Sequence, residues 1–206
     1  PYAAVYLYLG AASSTHFDIS KVTVKGAEYL DGDRMARRAH IVEGMNVLDI
    51  DGTKATERLE SSPWVTEASV DTQLPGEAVV TVTERDPVAL LPDARWALVD
   101  ESGTVFKYLE AEDPVDRLLK LPMITGLEPG DLRRDDGQRW LDRSLRAAEL
   151  YRTFGLDETA PLSEIHVDET MGVSLVTRDG TEIRLGRDRY RQRLGRLGAV
   201  RKTLET

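Results

Sequence analysis

The chain contains no cysteine among its 206 residues, which excludes disulfide bonds, thiolate catalysis and cysteine-based zinc sites. Its three histidines, His16, His40 and His166, lie far apart and form no HxxxH or HExxH spacing. The sequence also has no GxGxxG motif, no P-loop and no G-x-S-x-G motif. These absences predict no catalytic centre, no metal site, no cofactor and no small-molecule substrate.

Positive charge is also scarce, because 27 Lys and Arg residues stand against 36 Asp and Glu residues and leave a net charge of −9. A surface this acidic repels a phosphate backbone, so we do not expect a nucleic-acid partner. The acidic residues do not single out a catalytic pair either. Asp135 and Asp136, for example, are explained by the preference of helix N-termini for negative charge.

A full-length membrane span is absent as well. The apolar run PYAAVYLYLGAA covers residues 1–12, whereas a spanning helix needs about 20 such residues. Its three tyrosines fit the aromatic belt of a membrane interface, which favours the outer end of a membrane anchor. The alternation of Val5, Leu7 and Leu9 fits a core strand instead. On the residues alone, both interpretations stay open.

What is present between residues 17 and 85 predicts a compact α+β unit. Apolar periodicity and turn residues give the order strand, helix, helix, strand, strand. Asp31 or Asp33 can cap the first helix, and Asp51 or Thr53 the second. We expect both helices to pack on one face of a three-stranded sheet.

The pattern changes after Asp86-Pro87 to short strands separated by Gly and Pro turns. Turn residues at 100–103 and 178–181 predict two hairpins. The elements predicted there are, in order, strands at 88–91, 96–99 and 105–108, a helix at 133–154, strands at 165–167, 173–175 and 183–185, and a helix from residue 188.

The segment LPMITG, residues 121–126, interrupts this charged chain with an apolar stretch that carries no reactive side chain. Pro122 disfavours helical geometry at Leu121, and Gly126 allows a turn. We predict an extended connector that packs Met123 and Ile124 into the core and leads towards the next helix.

Residues 187–202 carry a charge of +6, so the rest of the chain carries −15. A solvated helix face would explain this segment. A docking surface for an acidic partner or an anionic lipid would explain it as well. Nucleic acid is a weaker third interpretation, because Tyr190 is the only interleaved aromatic residue. The basic residues are Arg187, Arg189, Arg191, Arg193, Arg196, Arg201 and Lys202.

Six strings in a fixed order resemble the extracytoplasmic part of the FtsQ/DivIB family of bacterial cell-division proteins. The resemblance covers residues 17–200. The strings are FDISKVTVKGAEYL, SSPWVTEASVDTQLPGEAVVTVTERDPVALL, WALVDESGTVF, LPMITG, LSEIHVDETMGVSLVTRDGTEIRLG and RLGRLGAV.

This resemblance implies an α+β fold with two domains. Residues 17–86 would form a POTRA domain, a three-stranded sheet with two helices. Residues 87–206 would form a β domain of mostly antiparallel strands with two flanking helices. Residues 1–16 would be the end of a membrane anchor and its linker.

The resemblance also implies a function without catalysis. Members of the family are single-pass proteins of the bacterial inner (cytoplasmic) membrane, with most of the chain extracytoplasmic (periplasmic), and they act at the division septum. They link early and late divisome membrane proteins and bind FtsB and FtsL, and their POTRA domain is linked to septal recruitment. The partner adds a β-strand to an open sheet edge, which needs no reactive side chain.

One departure from the family pattern concerns the partner site. The family's β domain continues past its last helix into a final strand, the main edge to which FtsB adds, whereas this sequence ends at Thr206. We expect that strand either to lie beyond this sequence or to be absent from this homologue. The neighbouring residues predicted to take part in partner binding are Ile183, Arg184, Leu185, Arg189, Arg193 and Arg196.

Two other functional classes fit less of the sequence. A POTRA-bearing subunit of a protein-transport or outer-membrane assembly complex would usually carry several POTRA units or a long barrel, and the sequence predicts one unit. A periplasmic hydrolase would need a pocket with convergent titratable groups.

Overall fold

A computed structural model describes residues 14–93, 95–128 and 130–204. The chain divides into two compact units, Pro1–Arg85 and Asp86–Thr206. The apolar run at residues 1–12 lies outside the described residues, and among those described no helix is long and apolar enough to cross a bilayer.

The helices are α1 (Gly32–Arg38), α2 (Gly52–Glu60), α3 (Val115–Leu118), α4 (Asp135–Thr153) and α5 (Tyr190–Leu204). The strands are β1 (Lys21–Lys25), β2 (Val65–Gln73), β3 (Glu77–Glu84), β4 (Pro87–Leu91), β5 (Ala97–Asp100), β6 (Val105–Tyr108), β7 (Met123–Thr125), β8 (Leu162–Asp168), β9 (Gly172–Thr177) and β10 (Glu182–Gly186).

The first unit is a three-stranded sheet in the order β1-β3-β2, with β1 parallel and β2 antiparallel to the central β3. Val80 and Val82 alternate along β3 and lie in the same core as Met35 of α1 and Leu59 of α2. Both helices therefore cover one face of the sheet, as the period-2 pattern of β3 predicts. The predicted three-stranded, two-helix unit is confirmed.

Each helix of this unit begins at the first of its two candidate capping residues. The Asp31 carboxylate accepts a hydrogen bond of 2.8 Å from the Arg34 backbone N–H. The Asp51 carboxylate accepts one of 3.1 Å from the Lys54 backbone N–H. Each bond satisfies an N–H group that has no partner inside its helix.

A single carboxylate fixes the loop between β1 and α1. Glu84, the last residue of β3, accepts backbone N–H bonds from Glu28 at 2.9 Å, Tyr29 at 2.6 Å and Leu30 at 2.9 Å. The Tyr29 ring then stacks on the Trp64 indole, with ring centres 5.2 Å apart. The loop is therefore held to the end of the sheet by charge-assisted hydrogen bonds and by ring packing.

The second unit is a seven-stranded sheet in the order β10-β9-β8-β7-β4-β5-β6. Four of its six pairings are antiparallel, and only the two that involve β7 are parallel. Tyr151 of α4 and Leu194 of α5 are buried in the same core as Ile165 and Leu175 of the sheet. The prediction of mostly antiparallel strands with two flanking helices is confirmed; the four-residue helix α3 was not predicted.

The LPMITG segment supplies β7, which lies at the centre of this sheet. Met123 pairs with Leu90 of β4, and Ile124 pairs with Ile165 of β8. Ile124 is fully buried, so the predicted core packing is confirmed for this residue, whereas Met123 is only half-buried and is not part of the core cluster. The segment is nevertheless more than a connector, because both halves of the sheet pair through it.

Candidate functional site

Strand β10 forms one border of the seven-stranded sheet. It pairs with β9 in antiparallel register, and within residues 14–93, 95–128 and 130–204 no strand pairs with its other side. In an antiparallel pair, alternate residues direct their backbone N–H and C=O groups away from the neighbouring strand. The outer side of β10 therefore presents backbone groups that an added strand can bind.

The three predicted residues of β10 differ in what they can offer. Leu185 is only 1% exposed and lies in the core, and Ile183 packs against the same core. Their side chains can therefore offer little surface to a partner, which would have to bind the backbone of β10. Arg184 is exposed and, by strand alternation, lies on the opposite face of the sheet.

The charge of Arg184 is already matched within β10. Its Nε and Nη2 atoms each donate a hydrogen bond of 3.0 Å to the two carboxylate oxygens of Glu182. This hydrogen bonding lowers the pKa of Glu182 and raises the pKa of Arg184. A partner carboxylate would have to compete with Glu182 for this guanidinium.

Of the predicted arginines of the C-terminal segment, Arg193 and Arg196 lie on an exposed face of α5, and Arg189 directly precedes the helix. Tyr190 and Leu194 are buried and, together with the half-buried Leu197, anchor the helix at i, i+4, i+7 spacing. Arg189, Arg193 and Arg196 each precede one of these anchors and are exposed. They therefore form a second stripe beside the buried one.

This arginine stripe begins where β10 ends. A Cβ atom placed on Gly186 would lie 2.9 Å from Arg193 Nη1, so this guanidinium covers the end of β10. Arg189, the residue directly before α5, has a positive backbone φ angle of 57°. In the described parts of the chain, no ion pair involves Arg189, Arg193 or Arg196. In the described part of the chain, this border thus combines a strand side without a partner strand and three arginines without an ion pair.

One further arginine group was not predicted from the sequence. The Cζ atoms of Arg143 and Arg187 lie 4.8 and 5.6 Å from the ring centre of Trp140. The only local signal for it is the Trp-x-x-Arg spacing on α4, because i and i+3 share a helix face. The approach of Arg187 depends on the tertiary fold.

Among the described residues, no group of three His, Asp or Glu side chains is arranged to hold a metal ion. His166 of β8 is exposed, and its Nδ1 lies 2.8 Å from Thr125 Oγ1.

Comparison with known proteins identifies both units. Residues 17–85 match the family described as POTRA domain, FtsQ-type, and residues 89–206 match the family described as Cell division protein FtsQ/DivIB, C-terminal. The chain is 30% identical over 206 residues to the cell division protein FtsQ of Geotalea daltonii, covering 97% of this chain and 72% of that protein. It is 28% identical over 200 residues to FtsQ of Syntrophotalea carbinolica, covering 94% and 68%. It is 29% identical over 194 residues to FtsQ of Myxococcus fulvus, covering 93% and 66%. The chain therefore spans about two thirds of the length of these relatives.

The fold and these matches define an α+β protein with an N-terminal POTRA domain and a mostly antiparallel β domain. The chain belongs to the FtsQ/DivIB family of cell division proteins.

Proposed function

We propose that this chain is a non-enzymatic scaffold of the division septum that binds an FtsB/FtsL-type partner by β-strand addition at the β10 side of its sheet. In this role it links early and late divisome proteins. Residues 1–16 end the membrane anchor, residues 17–86 form the POTRA domain and residues 87–206 form the partner-binding domain. The bulk of the chain lies on the extracytoplasmic side of the inner membrane.

The observation that supports the proposal is that, among the described residues, no strand pairs with the outer side of β10, which lies next to the arginine stripe of α5. Strand addition draws its affinity from backbone hydrogen bonds, so the β10 backbone can bind a partner while the side chains of Ile183 and Leu185 stay in the core. The charges of Arg189, Arg193 and Arg196 then accelerate encounter with an acidic partner and select its register. Arg184 contributes only if the partner displaces Glu182.

Charge reversal tests this proposal. We expect Arg189→Glu, Arg193→Glu and Arg196→Glu together to weaken binding of the FtsB/FtsL-type complex roughly tenfold at low salt, because each exposed pair contributes up to about 1 kcal/mol. The slope of affinity against salt concentration should also become flatter. Binding is measured by calorimetry over a salt series, and circular dichroism checks that the variant folds.

A matched control reverses Lys21, Arg34 and Arg37, three exposed basic residues of the POTRA unit. This variant has the same net charge as the first, so an effect of overall charge would weaken binding equally in both. If the α5 variant keeps the wild-type affinity across the salt series, the arginine stripe has no part in the interaction.

A further inference from the structure

Trp140 is a fixed platform that holds two guanidinium groups from different elements. Its side chain is buried at 7% exposure near the start of α4. Arg143 lies almost one turn further along α4, and Arg187 lies between β10 and α5. Because both Cζ atoms lie within 5.6 Å of one ring centre, the two charges are at most about 10 Å apart.

Neither guanidinium has a carboxylate in ion-pair contact inside the described part of the chain. No ion pair there involves Arg143 or Arg187, although acidic residues outnumber basic ones. Arg139, on the same helix, gives the contrast, because its Nη2 lies 2.6 Å from Asp136 Oδ1. Two unmatched cations held close together attract an anion more strongly than either would alone.

The geometry favours carboxylates as the ligand. A guanidinium offers N–H groups in a planar fork that matches a carboxylate, and stacking on an indole restricts the plane of that fork. Glutamates at i and i+4 of a helix have Cβ atoms about 5–6 Å apart, so their flexible side chains can reach two guanidiniums at this separation. A segment with two such carboxylates would meet both arginines at once.

The surroundings disfavour a uniformly anionic surface such as a lipid bilayer. Arg143 also borders an open groove of about 740 Å³ beside α4. That groove is lined by Arg146 and Arg152 but also by Glu101, Asp142 and Glu149. A surface of mixed sign selects a ligand whose charges are placed individually, as in a peptide.

We propose that Trp140, Arg143 and Arg187 form a binding site for an acidic helical segment of a partner protein, with two carboxylates one turn apart. The site rests on the proposed function for the premise that the ligand is a protein, and it extends the positive surface from α5 onto α4. Strand addition at β10 and acidic recognition at Trp140 are separate contacts and can be measured separately.

The probe is a synthetic alanine-rich helical peptide about 15–20 residues long, with two glutamates at i and i+4. A second peptide has glutamines in their place. Each is titrated into the 206-residue chain while NMR follows the Trp140 indole N–H and the Arg143 and Arg187 Nε–H signals. We expect all three signals to shift with the glutamate peptide and to stay in place with the glutamine peptide.

Arg143→Gln and Arg187→Gln should each weaken peptide binding about five- to tenfold, because each removes one charged fork. The control Arg139→Gln removes the same charge from α4 and should change affinity by less than about twofold, because Asp136 already occupies that guanidinium. Circular dichroism confirms that all three variants fold.

Three results would overturn the inference. The first is equal binding of the glutamate and glutamine peptides, and the second is an equal loss of affinity in Arg139→Gln. The third is a chain that does not bind the peptide but binds phosphatidylglycerol vesicles through Arg143 and Arg187. That result would assign the site to lipid headgroups. Peptide binding at Trp140 by a chain whose β10 does not bind a partner strand would leave this inference standing and refute the proposed function.

Discussion

Glu84 provides the sharpest test of how the POTRA unit is held together. Its carboxylate accepts three backbone N–H bonds, from Glu28, Tyr29 and Leu30, at 2.9, 2.6 and 2.9 Å. These three amides belong to the loop between β1 and α1, which has no strand partner of its own. Removing the carboxylate leaves the amides to find water or to remain unsatisfied.

The expected loss follows from the number and kind of these bonds. A hydrogen bond to a charged group is worth about 1.5–3 kcal/mol. Because the three bonds share one carboxylate and the loop can partly rehydrate, we expect Glu84→Ala to cost about 2–4 kcal/mol rather than the full sum. Glu84→Gln keeps one acceptor oxygen, so it should cost about half as much.

The assay uses the tryptophan nearest this loop. Trp64 stacks on Tyr29, so its fluorescence reports the loop during urea unfolding. Replacing Trp96 and Trp140 by Phe removes the signals of the other unit. Glu67→Gln on exposed β2 is the control and should change the free energy of unfolding by less than about 0.5 kcal/mol.

Amide hydrogen exchange gives a second measurement of the same effect. The amides of residues 28–30 should exchange faster in Glu84→Ala, while those of β3 lose protection only in proportion to the global loss of stability. A loss below about 0.5 kcal/mol, with unchanged exchange at residues 28–30, would refute the idea that this carboxylate fixes the loop.

Two further predictions concern the β domain. Gly126 has φ +79, and a Cβ there would lie 1.9 Å from Val167 O. Gly126→Ala should therefore lower the free energy of unfolding, measured with urea, by at least about 3 kcal/mol. The control is Gly180→Ala, with φ +85 but open space around it, which should lower it by only about 1 kcal/mol. The pKa of Asp168 is lowered by backbone N–H bonds in the β8–β9 turn, so its contribution to stability is present above its unfolded pKa and lost as the pH falls through its folded pKa. Asp168→Asn should therefore be less stable than wild type at pH 7 and indistinguishable from it once the pH is well below 3.8; an Asp168→Asn deficit that persists unchanged at low pH would contradict this reasoning.

Local sequence patterns were enough for much of the fold. Strand alternation, the caps at Asp31 and Asp51, and the hairpin turns at 100–103 and 178–181 all depend on residues within about one turn of each other. The structure shows the hairpins where the pattern places them, and it selects Asp31 and Asp51 from the two capping candidates of each helix. The long apolar periodicity of α4 was equally clear, and the helix spans Asp135–Thr153 inside the predicted 133–154.

The central position of β7 could not be predicted in the same way. The strand has only three residues, too few to show alternation. Its pairing is parallel, with Leu90 on one side and Glu164, Ile165 and His166 on the other. Its place therefore depends on contacts with segments far away in the sequence.

The same distinction between local pattern and tertiary contact applies to the candidate sites. The residues of β10 and the arginine stripe could be named from the sequence because they are contiguous, and their role came from the family resemblance. The contact between Arg187 and Trp140 brings two distant segments together, as does the hydrogen bond that the Tyr29 backbone N–H donates to the Glu84 carboxylate. Neither contact could be predicted from the local periodicity of the sequence.

Hydrogen–deuterium exchange of β10 is the most direct test of strand addition. The chain is measured alone and with its FtsB/FtsL-type partner, whose binding is verified independently by calorimetry. We expect the amides of residues 182–186 that face away from β9 to gain protection of at least about tenfold, while the amides of β6 at the opposite border of the sheet keep their exchange rates. A bound partner that leaves residues 182–186 unprotected, or that protects β6 instead, would contradict this expectation.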